Sequence, residues 1–245
     1  MNGSLLRVSD LCAGYGASRV LDGVSFDIGV EAVAIIGRNG MGKTTLCDTI
    51  MGLVRATSGE VVFHNERIDN HTPEKIATRG ISYVPQGRRL FRSLTVDEHL
   101  TMLAKGTRGK RWTRDAVYEL FPRLAVRRRH GGAQLSGGEQ QMLAVARALL
   151  LNGSLVVMDE PSEGLAPTIV DTLIEVVHQL VAEGVAVLVV EQNLRAATHM
   201  ADRQLVMVSG RIAAETTAAE LSANPELQRR YLGVETADTS STEVP

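Results

Sequence analysis

The stretch VAIIGRNGMGKTTL, residues 33 to 46, constrains the fold of this chain more than any other. Four continuous apolar residues read as a strand buried on both faces. They run into Gly37, Gly40, Gly42, Lys43 and Thr44, which fill the pattern G-x-x-x-x-G-K-[ST], and a helix-compatible run follows. Glycines let backbone N–H groups wrap the oxygens of an anion, and the helix start adds the positive end of its dipole. In such a loop Lys43 reaches the outer phosphates, with Asn39 beside it. Thr44 is placed for Mg2+, and Thr45 for the α-phosphate. A strand, phosphate loop and helix in that order belong to an α/β sheet whose strands run mostly parallel.

The rest of the chain agrees. Residues 5 to 36 read as short strands, LLRVSDLCAGYG, VLDGVSFDI and AVAIIG. A helix is predicted from Lys43 to about Met51, a hairpin arm at 59 to 68 and a strand, GISYVPQ, at 80 to 86. From 87 to about 153 helical patterns dominate: VDEHLTMLAK, RDAVYELFPRL and GEQQMLAVARALLL. Alternation returns with SLVVMDE, the helix TIVDTLIEVVHQLVAEG, the strand VAVLVVE, the helix RAATHMAD and the hairpin RQLVMVSGRIAAE. The tail from 234 to 245 is polar and without period, and is expected to be disordered. The basic run Arg127 to Arg129 reads as a solvated loop.

Composition removes several classes of function. Aromatic residues make up 4% of the 245 and the formal net charge is −2. Neither favours a protein that stacks bases or tracks a phosphate backbone, so no nucleic-acid partner is expected. The first ten residues contain no apolar core of a signal peptide. No apolar run approaches 18 residues, so no crossing of a membrane is expected. The two cysteines, Cys12 and Cys47, fall in an expected strand and helix, as buried reduced thiols.

Three further stretches carry chemistry. LVVMDE at 155 to 160 is an apolar strand ending in two carboxylates. Asp159 stands where an acid organises Mg2+, and Glu160 projects past the strand end as a general base for an attacking water. Gln86 ends the strand ISYVPQ, and its neutral side chain is long enough to ligate Mg2+ or hold a water. In QLSGGEQQ, Ser136 is an N-cap, and Gly137 and Gly138 expose N–H groups at a helix start. This second anion site lies in the helical lobe. One triphosphate gripped by both loops requires the second loop to come from another subunit. Gly14-Tyr-Gly16 is too short for a dinucleotide fingerprint.

With LSGGEQQ, GRNGMGKTT, Gln86 and VVMDEP in this order, the chain resembles the nucleotide-binding subunit of an ATP-binding cassette transporter, from residue 5 to about 232. More closely, YVPQGRRLFRSLTVDEHL, LFPRL before LSGGEQQMLAVARAL, DEPSEGLAP, VEQN and NPELQRRYLG resemble one of the two ATPase subunits of branched-chain amino acid and amide importers. The resemblance implies a P-loop NTPase (RecA-like) fold. Its mostly parallel core sheet would carry an N-terminal antiparallel β subdomain and an inserted α-helical subdomain. One ATPase domain would span 1 to 233: a core at about 1–86 and 154–222, a helical part at about 87–153 and an extension at 223–233. ATP and Mg2+ are the implied ligands. Tyr15 would stack on adenine, Gln86 would couple the site to a permease groove, and Ser136, Gly137 and Gly138 would touch the γ-phosphate held by an opposing chain. The implied partners are a second ATPase (sister chain or identical copy), two permeases and an extracytoplasmic solute-binding protein. The implied place is the cytoplasmic face of the membrane. Arg88, Arg89, Phe91 and Arg92 lie near the expected permease surface.

The chain departs from the wider superfamily at three places. The switch position that is usually His is Gln192, which can donate to phosphate but carries no charge. Ala166 stands where the loop Ser162-Glu163-Gly164-Leu165-Ala166 usually ends in Asp. GVEAVAIIG lacks the usual Gly-Glu. The transported solute stays open between branched-chain amino acids and urea or short amides. A soluble cassette ATPase that does not serve transport is the weaker reading: the helical insert holds no sustained heptads, and there is one phosphate loop.

Overall fold

The computed structural model describes residues 3–104 and 110–232. Two sheets share one core. The first is antiparallel and built from β1 (Leu6–Tyr15), β2 (Ser18–Ile28), β4 (Ala56–Phe63) and β5 (Glu66–Arg67), in the order β2-β1-β4-β5. The second has six strands: β3 (Ala32–Ile36), β6 (Ile81–Val84), β7 (Leu155–Asp159), β8 (Ala186–Glu191), β9 (Arg203–Val208) and β10 (Arg211–Thr217). Their order is β10-β9-β3-β8-β7-β6. Every pair in it is parallel except β9 with β10.

The central strands are apolar because both of their faces are covered. Side chains alternate between the faces. Leu155, Val157, Leu188 and Val190 point into a cluster shared with the antiparallel sheet and with α1 (Lys43–Ile50). Val156, Met158, Val187 and Val189 point the other way, into the helical cluster. Each such aliphatic side chain removed from water contributes about 1.5–3 kcal/mol. Ala34, Ile36 and Val206 meet Ala197 and Leu221 in a smaller third cluster. Cys12 and Cys47 are buried and free, as expected.

After α2 (Pro73–Thr78) come the helices that lie between β6 and β7 in the chain: α3 (Val96–Leu103), α4 (Arg114–Leu120), α5 (Pro122–Val126) and α6 (Gly137–Leu149). The apolar spacing predicts a single helix over RDAVYELFPRL. The structure breaks it at Phe121, where φ is −122° and ψ is 74°. Pro122 forces its predecessor out of the helical region and supplies no N–H. Thr95 and Ser136 open α3 and α6 with reciprocal capping boxes to Glu98 and Glu139. The chain closes with α7 (Pro167–Ala182), α8 (Leu194–Met200), α9 (Ala218–Ala223) and α10 (Pro225–Leu232). The expected disorder of 234–245 lies outside the described residues. No helix among the described residues is long and apolar enough to cross a membrane.

Candidate active site

The phosphate loop runs from the carboxyl end of β3 to the first turn of α1. Gly42 caps that helix with φ 102°, a left-handed backbone that a side chain would strain. A Cβ on Gly37 would stand 2.5 Å from the carbonyl oxygen of Met207, so only glycine lets the loop pass β9. Beside the loop opens a cleft of about 350 Å³ lined by Val20, Asn39, Gly40, Gly42, Lys43, Thr44, Thr45, Gln86 and Glu160. The structure therefore gathers most of the expected phosphate contacts around one cavity. Gly37 does not line it.

Lys43 is 4% exposed. Its Nζ donates to the carbonyl oxygens of Gly37 at 2.9 Å and Arg38 at 3.2 Å, and pairs with Glu160 Oε1 at 2.9 Å. The other carboxylate oxygen of Glu160 accepts from Gln86 Nε2 at 3.1 Å, and the same amide donates to Glu163 at 3.1 Å. Glu160 also has a left-handed backbone, φ 46°. For a residue with a Cβ this conformation costs about 1–2 kcal/mol. Its N–H is held by Val190 O at 2.9 Å. The turn aims the carboxylate back over the loop instead of along the strand. Gln86 lies two residues beyond the observed end of β6, so its side chain is carried by the turn rather than the strand.

Asp159, 1% exposed, ends β7. It accepts a hydrogen bond from Thr44 Oγ1 at 3.3 Å, and Tyr83 OH lies 3.5 Å from its second oxygen. Burial pushes its carboxyl up to about 6, with Glu160 and Asp48 adding to the rise and Thr44 and Lys43 opposing it. Thr44 and Asp159 form a pair of hard oxygen donors, and the carboxylate is poorly solvated. That donor set fits Mg2+, which takes one or two protein oxygens and leaves the rest to phosphate and water. Among the described residues no cluster of three His, Cys, Asp or Glu side chains could hold a metal alone.

Gln192 is exposed at the start of the turn after β8. It shares a cavity of about 410 Å³ with Glu160 and Glu163. The residue that holds it there escaped the sequence reading. Glu191 is 2% exposed and accepts from the backbone N–H groups of Ser162 at 2.9 Å, Gln192 at 3.1 Å and Asn193 at 3.2 Å. One carboxylate thus ties the turn after Glu160 to the turn that carries Gln192. Burial raises its carboxyl above the ordinary range. In the sequence it looked like the polar end of VAVLVVE; a fully apolar strand ending in an acid was the available signal.

Two expected groups stand apart from the cleft. Tyr15, at the end of β1 and 54% exposed, does not line it, although Val20 on the paired strand does. Ser136 caps α6 through its Oγ, which accepts from Glu139 N–H at 3.3 Å. Ser136 and Gly138 line a different cavity, about 440 Å³, with Phe121, Leu124 and Ile169. Within one chain the two glycine-bearing loops do not share a cavity.

The chain is similar to known ATP-binding cassettes in both sequence and fold. The family profile described as ABC transporter matches residues 21–163. A high-affinity branched-chain amino acid transport ATP-binding protein, BraG of Pseudomonas aeruginosa, is 42% identical over 89% of this chain and 95% of its own length. The lipopolysaccharide export system ATP-binding protein LptB of Haemophilus influenzae is 32% identical over 94% and 98%. Among solved structures, a nucleotide-free ATP-binding cassette from an ABC transporter superposes with a TM-score of 0.81, 26% identity and coverage of 96% and 100%. A dimeric ATP-binding cassette in a post-hydrolysis state, bound to ADP and phosphate, gives 0.74, 25%, 87% and 98%. By this likeness along nearly its whole length, the chain belongs to the ABC transporter family as an ATP-hydrolysing subunit.

Proposed function

We propose that this chain energises the import of branched-chain amino acids, or of a related amino acid or amide, through partner permeases. The observation that carries the reading is the 42% identity to a branched-chain amino acid transport ATP-binding protein along nearly the whole of both chains. The 32% identity to a lipopolysaccharide export ATP-binding protein supports an exporter subunit as the second reading. Urea or short-amide import is a variant of the first.

ATP lies with its phosphates on Gly37, Asn39, Gly40, Gly42, Lys43, Thr44 and Thr45, and with its adenine on the exposed ring of Tyr15. Thr44, Asp159 and Gln86 hold Mg2+, which neutralises phosphate charge when bound. Glu160 takes the proton of the attacking water, and its left-handed turn keeps the carboxylate over the loop. Gln192 donates its amide to the γ-phosphate from a turn fixed by Glu191. Ser136, Gly137 and Gly138 reach the nucleotide of a second ATPase subunit, a sister chain or another copy, because in one chain their cavity is not the P-loop cleft. The dimeric cassette among the solved relatives supports pairing. In this reading one ATPase domain spans 1–233, with a core at about 1–86 and 154–222, a helical lobe at about 87–153 and an extension at 223–233. The assembly sits on the cytoplasmic face of a membrane, on two permeases fed by an extracytoplasmic solute-binding protein, and takes no nucleic acid.

The test is uptake of radiolabelled leucine by cells that carry or lack the gene, complemented with the wild-type chain or with Lys43→Ala. Leucine uptake restored by the wild type alone supports the reading. Full leucine uptake in the deletion strain, with a defect in the outer envelope, would move the assignment to export.

A further inference from the structure

The turn after Gln86 has three consecutive left-handed residues, Gly87, Arg88 and Arg89, at φ 75°, 66° and 42°. Two of them carry a Cβ, which this region disfavours, so their conformation has to be held from outside. One face of α6 holds it at two points. Arg88 donates to Gln140 Oε1 at 3.3 Å. Its guanidinium lies so close over Gly137 that a Cβ there would meet a guanidinium nitrogen at 3.2 Å. Seven residues along the same face, Arg147 donates to the carbonyl oxygen of Arg89 at 3.0 Å. Its guanidinium also stands 5.8 Å from the ring centre of Phe91. The far end of the turn is fastened too, by Gly132 N–H on Leu94 O at 2.9 Å and Ala133 N–H on Arg92 O at 3.3 Å. Gln140 closes the loop by donating to Gly132 O at 3.1 Å. The segment 87–94 is thus strapped along α6, the helix that opens at Ser136, and along the turn just before it. Its other end begins at Gln86, which holds Glu160.

We propose that Arg88 is a positioning residue that sets the Ser136–Gly138 loop of its own chain in register with Gln86. It thereby links the nucleotide site of one chain to the loop that completes the site of the next. The inference rests on the pairing of two copies of this chain, one of the two pairings proposed above. The link is the turn itself, whose left-handed Arg88 and Arg89 are held by Gln140 and Arg147 on the helix that Ser136 opens.

The experiment measures ATP-driven dimerisation by sedimentation on a Glu160→Gln background, with Arg88→Met, Gln140→Met and the double substitution. Binding of a fluorescent ATP analogue to the dilute single chain is measured in parallel. Arg88→Met is expected to weaken the dimer about ten-fold or more, the scale of one charge-assisted hydrogen bond. Single-chain affinity should stay within about two-fold, and the double substitution should add little to either single one. If Arg88→Met fails to fold, Arg88→Gly removes the same side chain while relaxing the backbone, and the same loss is expected. Unweakened pairing in the variants, or fully additive losses, overturns the inference. A Glu160→Gln parent that stays single with ATP bound removes pairing between copies and the inference with it; a parent that pairs equally well with and without Arg88 removes the inference alone.

Discussion

Lys43 and Glu160 form a buried ion pair, 2.9 Å from Nζ to Oε1, with side chains 3% and 9% exposed. The proposed phosphate-binding cation and the proposed general base therefore neutralise one another. Removing the carboxylate charge leaves the ammonium facing only two carbonyl oxygens. Glu160→Gln is expected to lower stability without nucleotide by on the order of 3 kcal/mol. It should also tighten ATP binding, and reduce turnover by roughly 10²- to 10⁴-fold. Thermal melts with and without ATP, beside a phosphate-release assay, check all three. Equal melting temperatures of wild type and variant without ATP would count against the ion pair.

Asp159 gives a pH dependence of defined sign. Its folded-state carboxyl is raised from 3.8 to about 6, so between those values the native chain holds a proton that the unfolded chain has lost. The stabilisation is complete below about pH 4 and is lost as pH rises through 6, on the order of 2–3 kcal/mol in total. Urea unfolding of Asp159→Asn from pH 4 to 7 should show a flatter profile. It should not be wholly flat, because the raised Glu191 contributes in the same direction. Superimposable profiles would contradict the burial argument.

Glu191 is expected to matter for both stability and turnover. Glu191→Ala strands three backbone N–H groups, at Ser162, Gln192 and Asn193. Leaving buried donors unpaired costs about 1–3 kcal/mol each where water does not reach them. Glu191→Gln keeps an acceptor and should recover most of the stability and part of the ATPase rate. Equal loss in the two variants would show that charge, not loop anchoring, is what the site needs.

Ala166 opens α7 with no side-chain cap, followed by Pro167. Its extended backbone, φ −67° and ψ 148°, is that of an ordinary N-cap. Ala166→Asp should therefore stabilise the chain by about 1 kcal/mol, or roughly 2–4 °C in Tm for a domain of this size. A lower melting temperature would show that the position is constrained by something other than the helix end.

Much of this was legible in the residues because the signals were local. VAIIG and LVVMD are apolar throughout, and both became fully covered strands. Gly42 and Lys43 carry their geometry in their side chains or lack of one, and Ser136 with Glu139 spells its own capping box. What was not legible depends on distant chain. Pro122 signalled a break, but the apolar spacing on either side of it suggested one helix. Glu191 reads as a strand end until Ser162, 29 residues away, is brought to its carboxylate. The left-handed backbone of Glu160, Arg88 and Arg89 is invisible in sequence, because none of these residues favours it; tertiary contacts impose it. The position of Tyr15 outside the cleft lining likewise follows from hairpin geometry rather than from residue type.

The central claim is that Ser136–Gly138 complete the nucleotide site of a second chain. The most direct measurement is the solution mass of Glu160→Gln by light scattering, with ATP and Mg2+ and again with ADP. The expected result is a species of twice the 26.4 kDa chain mass with ATP, and single chains with ADP. A single chain that holds ATP without pairing would contradict completion by a second copy and leave only a sister ATPase.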